Sequence, residues 1–152
     1  MAATASRGVD ILEQAKGRLP GDYAPSDDEE YMNERQQDYF RVLLLEWKGS
    51  IIEAADQTRQ SLKNEPIREP DLNDRASSEA DWGIELRTRD RQRKLIAKIN
   101  AALRRIDEGE YGYCEVSGEP IGLKRLIARP VATMTVEAQE AHERREKVSR
   151  DD

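Results

Sequence analysis

Apolar residues recur along two stretches of this chain at steps of three and four. In the first, from about Tyr31 to Asn64, they fall at Phe40, Leu43, Leu44, Trp47, Ile51, Ala54, Thr58 and Leu62. That alternation is the seam of a coiled coil rather than the broader face of a globular helix. In the second, from about Ser77 to Glu108, Ile96, Ile99, Leu103 and Ile106 repeat the spacing. Glu85 precedes Arg89 by four residues and Asp90 precedes Lys94 by four, the favourable order for ion pairs along one helix face. Pro66 and Pro70 lie between the stretches and cannot sit inside a helix, so the chain turns there. Two seams joined by a short turn pack antiparallel. The result is a thin rod on the order of 45 Å long with the turn as its exposed tip.

The flanks differ. Residues 1–30 are expected to form a flexible segment. VDILEQAKGRL can make a short amphipathic helix, but Gly17, Pro20, Gly21 and Pro25 follow closely. The acidic run SDDEE then favours the N-terminus of the next helix. Residues 31–108 form the hairpin, with its tip near 66–76. Residues 109–152 form a small turn-rich module ending in a closing helix, TVEAQEAHERREKV, packed beside the base of the rod. The chain has no internal repeat.

Composition narrows the function classes. Charged residues make up 37% and aromatics 5%, which suits solvated helices sharing a narrow seam better than a large round core. The net charge of −6 argues against nonspecific binding to DNA or to an anionic membrane. One cysteine allows no internal disulfide and fits a reducing compartment. The first thirty residues lack the apolar core of a signal peptide, and the run Val42–Leu45 is too short to span a bilayer. A cytoplasmic, monomeric protein is expected.

Three features carry candidate chemistry. At the tip, Asp71 and Asp74 are ordinary turn formers or caps of the second helix. They are also two carboxylates at the end of a rod thin enough to enter a channel in a larger machine. Between Arg87 and Arg105 stand eight Lys or Arg and one Asp. This is either a solvated face or a docking surface for an acidic protein or a phosphate-rich ligand. No aromatics interleave it, so base stacking is not expected. Lys124 and Arg129 add positive charge near the rod's base. Finally, YGYCEVSG resembles half of a zinc knuckle in which Ser117 replaces the second cysteine. His142 lies in a charged helix and is expected to be solvated. No nucleophile–base pair, phosphate loop or metal cluster appears, so a stand-alone enzyme is not expected.

EEYMNE, DLNDRASSEAD, ELRTRDRQRKLIAKI and YGYCEVSGEPIGLKRLIARP together closely resemble the DksA/TraR family of bacterial transcription factors, over roughly residues 29–147. The resemblance implies a mainly α fold: a long antiparallel coiled-coil hairpin, a small zinc-ribbon-like module and a C-terminal helix. It implies binding to RNA polymerase through the secondary channel, without recognition of DNA sequence. It implies regulation of ribosomal RNA and amino-acid biosynthesis promoters with guanosine tetraphosphate (ppGpp) in the stringent response. Asp71, Asp74 and Ala76 would be the functional tip. Leu95, Lys98 and Arg129 would hold the effector, and Gln139 stands where the family commonly has a lysine. The four positions matching the family's zinc cysteines are Cys114, Ser117, Thr135 and Ala138. One thiolate cannot make a tetrahedral structural zinc site, and adding His142 would still leave two ligands. The resemblance is therefore to the zinc-independent members. Packing of Tyr111, Tyr113, Ile121, Leu123, Leu126, Ile127, Val131, Met134 and Val136 is expected to replace the metal. Two other readings remain: a transcript-cleavage factor of the Gre type, and a structural coiled-coil adapter.

Overall fold

The computed structural model describes the backbone of residues 2–64 and 72–151 and the side chains of residues 10–61 and 78–150. Among the described residues five helices follow one another: α1 (Ala2–Arg18), α2 (Glu34–Asn64), α3 (Leu72–Glu108), α4 (Leu123–Ala128) and α5 (Val136–Asp151). Among the described residues there is no strand, only an isolated antiparallel bridge between Tyr113 and Pro120. No helix of the described residues is long and apolar enough to cross a membrane.

The hairpin is α2 against α3. Its filled part is the base, where Phe40 and Leu44 of α2 meet Ile99, Ala102 and Ile106 of α3. Leu43, Trp47, Ile51, Leu95 and Leu103 flank them, half-buried. Beyond Ile51 the seam departs from the sequence expectation. Ala54 and Thr58 are exposed, and Leu62 lies outside the described side chains. The partner helix explains the change. At the corresponding depth α3 offers Glu85, Thr88, Arg89 and Gln92 as its half-buried residues. Its large apolar side chains there, Trp82, Ile84 and Leu86, are more than half exposed. The expected ion pairs do form, Arg89–Glu85 and Lys94–Asp90, each at 3.2 Å. Backbone protection should follow this gradient. Hydrogen exchange is expected to be slowest at residues 40–51 and 95–106 and markedly faster at 53–61 and 78–88. Uniform protection along both helices would contradict the gradient.

Two boundaries also differ. α3 begins at Leu72 rather than near Ser77, so Asp74 and Ala76 occupy its first turns instead of an irregular tip. Asp71 and the remainder of the turn lie outside the described residues. α2 begins at Glu34, and the acidic run does not cap it. Asn33 does, its Oδ1 accepting from the Gln36 amide at 2.9 Å. Gln36 is fully buried, and its Oε1 accepts from the Met32 amide at 2.6 Å. This is a variant of the capping box, reaching one residue further back.

Residues 1–30 contain more organisation than a flexible segment. α1 packs along α2, with Ala15 fully buried. The Arg18 guanidinium donates twice to the Asp38 carboxylate, at 2.9 and 2.8 Å, and Lys16 pairs with Glu46 at 2.9 Å. Asp38 also lies 3.6 Å from Arg41, which reaches Asp107 of α3 at 2.9 Å. A string of alternating charges thus ties α1, α2 and α3 together at the base.

Candidate effector cavity and degenerate metal site

The turn-rich module begins where Gly109 ends α3 with positive φ. Tyr111 is its anchor. The ring is buried against Phe40, centroids 5.4 Å apart, and the hydroxyl donates to the Pro130 carbonyl at 2.7 Å. Burial raises the Tyr111 pKa, so the hydroxyl stays a donor at neutral pH. Tyr31 supplies a second tie from outside the module. Its Oη donates to the Gly112 carbonyl at 2.7 Å and accepts from the Gly122 amide at 3.1 Å. The backbone at Gly112 has φ +92°, and a Cβ there would stand 2.7 Å from Met32 Cε. Only glycine permits that approach.

Of the residues expected to replace a metal, Tyr111, Ile121, Leu123 and Leu126 are buried. Tyr113, Val131 and Met134 are half-buried. Ile127 and Val136 are exposed and take no part. Their places are taken by hydrogen bonds at the four degenerate positions. Cys114 is buried, and the Gly118 amide donates to its carbonyl at 2.9 Å, closing the knuckle turn. The Thr135 hydroxyl lies 4.0 Å from Cys114 Sγ, as a long donor to sulfur. The same Oγ1 accepts from the Ala138 amide at 3.2 Å, so Thr135 is the N-cap of α5. The Ser117 hydroxyl accepts from the Glu119 amide at 3.4 Å. The four positions include one hydrogen-bonded link, from Cys114 through Thr135 to Ala138. They offer one thiol, two hydroxyls and a methyl, a donor set that does not fit a four-cysteine zinc site. No group of three or more His, Cys, Asp or Glu suited to a metal occurs among the described residues. His142 does not turn toward Cys114; its Nε2 lies 3.1 Å from Glu146 Oε1.

Burial alone would push the Cys114 thiol up, but hydrogen bonds from the Ser117 hydroxyl and the amides of Ser117, Thr135 and Val116 outweigh it, lowering its pKa to about 6. An unfolded thiol titrates near ~8.5. A depressed folded value means this group's contribution to stability is full above the unfolded pKa. It is lost as the pH falls through about 6. Thiolate absorbance of the folded chain should therefore show a midpoint near that value, and Ser117→Ala should raise it. A midpoint at or above that of a free thiol would contradict the hydrogen-bond account.

A cavity with a volume of about 540 Å³ lies between the rod's base, the module and α5. α5 reaches the shared core through Ala138 but otherwise stands off from α3 and forms the far wall. Lys98 and Arg129 line this space together, as do Arg105 and Arg125. Arg105 is committed to the Tyr113 carbonyl at 2.8 Å and to Glu115 at 3.8 Å. Arg125 donates to the Met134 carbonyl at 2.9 Å. Lys98 and Arg129 make no ion pair or side-chain hydrogen bond among the described residues. Gln139 lines the same cavity, its amide donating to Glu143 at 3.1 Å. Leu95 does not line it; its side chain packs against the seam. Lys124 is exposed and is not part of the lining. The structure thus brings together two of the three expected effector residues, and adds an acidic wall that the sequence did not signal.

The fold defines a class: a slender helical hairpin whose base carries a knuckle-turn module lacking a full ligand set. Comparisons with known proteins narrow it. Residues 36–106 match the family model for the DnaK suppressor protein DksA, N-terminal domain, and residues 109–144 match the prokaryotic dksA/traR C4-type zinc finger. The chain belongs to the DksA/TraR family. It is 62% identical over 131 residues to the RNA polymerase-binding transcription factor DksA of Caulobacter vibrioides, covering 86% of this chain and 92% of that protein. The same-named protein of Escherichia coli K12 is 41% identical over 125 residues, covering 82% and 83%. Among solved structures, transcription factor DksA2 from Pseudomonas aeruginosa superimposes with a TM-score of 0.70 at 38% identity, over 90% of this chain and 98% of that one.

Proposed function

We propose that this chain is a transcription factor that binds bacterial RNA polymerase through the secondary channel. Support for the partner comes from relatives named as RNA polymerase-binding factors at up to 62% identity. The observation that carries the mechanism is the continuity of α3. One unbroken helix runs from Leu72 to Glu108, so Ala76 and Lys98 are separated by on the order of 33 Å along a single rigid element. Asp71, Asp74 and Ala76 act at the distal end, where charge is delivered near the polymerase catalytic region. Lys98 and Arg129 act at the base, where guanosine tetraphosphate is held between the cavity and polymerase. Leu95 shapes that site through the seam. The nucleotide stabilises one docked pose, and that pose sets where the tip acids sit. In this reading the chain is monomeric and cytoplasmic, reads no DNA sequence, catalyses no reaction of its own and needs no zinc. Its targets are ribosomal RNA and amino-acid biosynthesis promoters.

The test is multi-round transcription from a ribosomal RNA promoter with purified polymerase in chelator-treated buffer. Inhibition by the wild-type chain is expected, deepened by guanosine tetraphosphate. Lys98→Ala should remove the nucleotide's increment. Elemental analysis of the active protein should find no stoichiometric zinc. An inert but folded chain would favour the adapter reading. Stimulated cleavage of backtracked RNA would favour the Gre-type one.

A further inference from the structure

The cavity at the rod's base has two basic walls and one acidic wall. α3 contributes Lys98 and Arg105 and the module contributes Arg125 and Arg129, with Glu115 held beside Arg105, while α5 contributes Glu143, Glu146 and His142. The acidic groups do not neutralise the cations. Glu143 accepts from Gln139 at 3.1 Å and Glu146 lies 3.1 Å from His142, both partners within α5 itself. Apart from Arg105 and Glu115, which pair at 3.8 Å, opposite charges therefore face a common space without pairing across it. An anion entering that space is drawn by two walls and repelled by the third, and the repulsion grows with the ligand's own charge.

We infer that Glu143 and Glu146 are specificity-determining residues of this cavity, opposing highly charged nucleotides and so setting the effector concentration at which it fills. The inference rests on the reading of the cavity as the effector site. Gln139 is part of the same device. It is a neutral residue whose amide is occupied by Glu143, so the α5 wall presents net negative charge where a cation would have balanced it.

The experiment measures binding of guanosine tetraphosphate, and separately of guanosine diphosphate, to complexes of polymerase with the full-length chain. Only nucleotide bound in excess of polymerase alone is counted. The chains compared are wild type, Glu143→Gln, Glu146→Gln and Lys98→Ala. Each carboxylate-to-amide change is expected to tighten tetraphosphate binding about fivefold at low salt. The gain should be smaller for the diphosphate, and it should shrink as ionic strength rises. A gain that is equal for both nucleotides and insensitive to salt would be steric, from a freed Gln139, and would overturn the inference. Wild-type affinity in both Gln variants alongside weakened binding in Lys98→Ala would overturn it while leaving the proposed function intact. If Lys98→Ala also binds normally, the cavity is not the effector site and both readings fall.

Discussion

Replacing Phe40 with alanine is expected to cost about 3–5 kcal/mol of stability, the range for removing a large aromatic from a packed core. The side chain is fully buried in the core that the rod and the module share. Its ring lies 5.3 Å from that of Tyr39 and 5.4 Å from that of Tyr111. Tyr111 in turn holds the Pro130 carbonyl through its hydroxyl. A polar chain with so narrow a seam has few other residues to absorb the cavity. Against a typical stability of about 5–15 kcal/mol, the loss is a large fraction of the whole. Urea unfolding followed by helical circular dichroism should show a lower midpoint with little change in slope. A loss below about 1 kcal/mol would mean that Phe40 is not the junction it is taken to be.

Asp74→Asn is expected to separate binding from activity. Asp74 lies in the first turn of α3, where a negative charge gains about 0.3–1 kcal/mol from the helix dipole. Folding should therefore change by no more than that. If the carboxylate acts on polymerase as proposed, regulation of the promoter should fall on the order of tenfold or more, as for loss of one partner of a desolvated charge contact. Polymerase binding, which on the proposed function also engages the rod and its base, should persist. Competition for the secondary channel and promoter transcription, measured on the same preparations, read the two properties separately. Parallel loss of both would place Asp74 in docking. No loss of either would reduce it to a feature of the helix terminus.

The parts of this molecule that were legible in the sequence are those governed by local periodicity. The hairpin, the ion pairs of Glu85 with Arg89 and Asp90 with Lys94, the change of character at Gly109 and the closing helix all follow from spacing within a few turns. The seam was legible only at its base. Spacing on α2 alone cannot reveal that α3 presents Glu85, Thr88 and Arg89 at the same depth. The cap at Asn33 carried a readable signal three residues ahead of Gln36, but the neighbouring acidic run drew the reading away from it. Tyr31 carried no signal, because its two partners, Gly112 and Gly122, lie 81 and 91 residues further along the chain. The packing of α1 was hidden for a similar reason. Its ties to Asp38 and Glu46 are long-range pairs among ordinary surface charges. Lys98 and Arg129 were linked by family resemblance, and the cavity that joins them depends on where α5 stands, which no local pattern specifies.

The tie made by Tyr31 has a mechanical meaning. One hydroxyl, fixed between two backbone groups of the module and followed directly by α2, sets the angle at which the hairpin leaves its base. α3 is 37 residues long, so it acts as an arm on the order of 55 Å. Over that length a rotation of about 5° at the base sweeps the far end through about 5 Å, more than the reach of a hydrogen bond. The precision with which the far end is placed is therefore limited by the stiffness of a few contacts at the other.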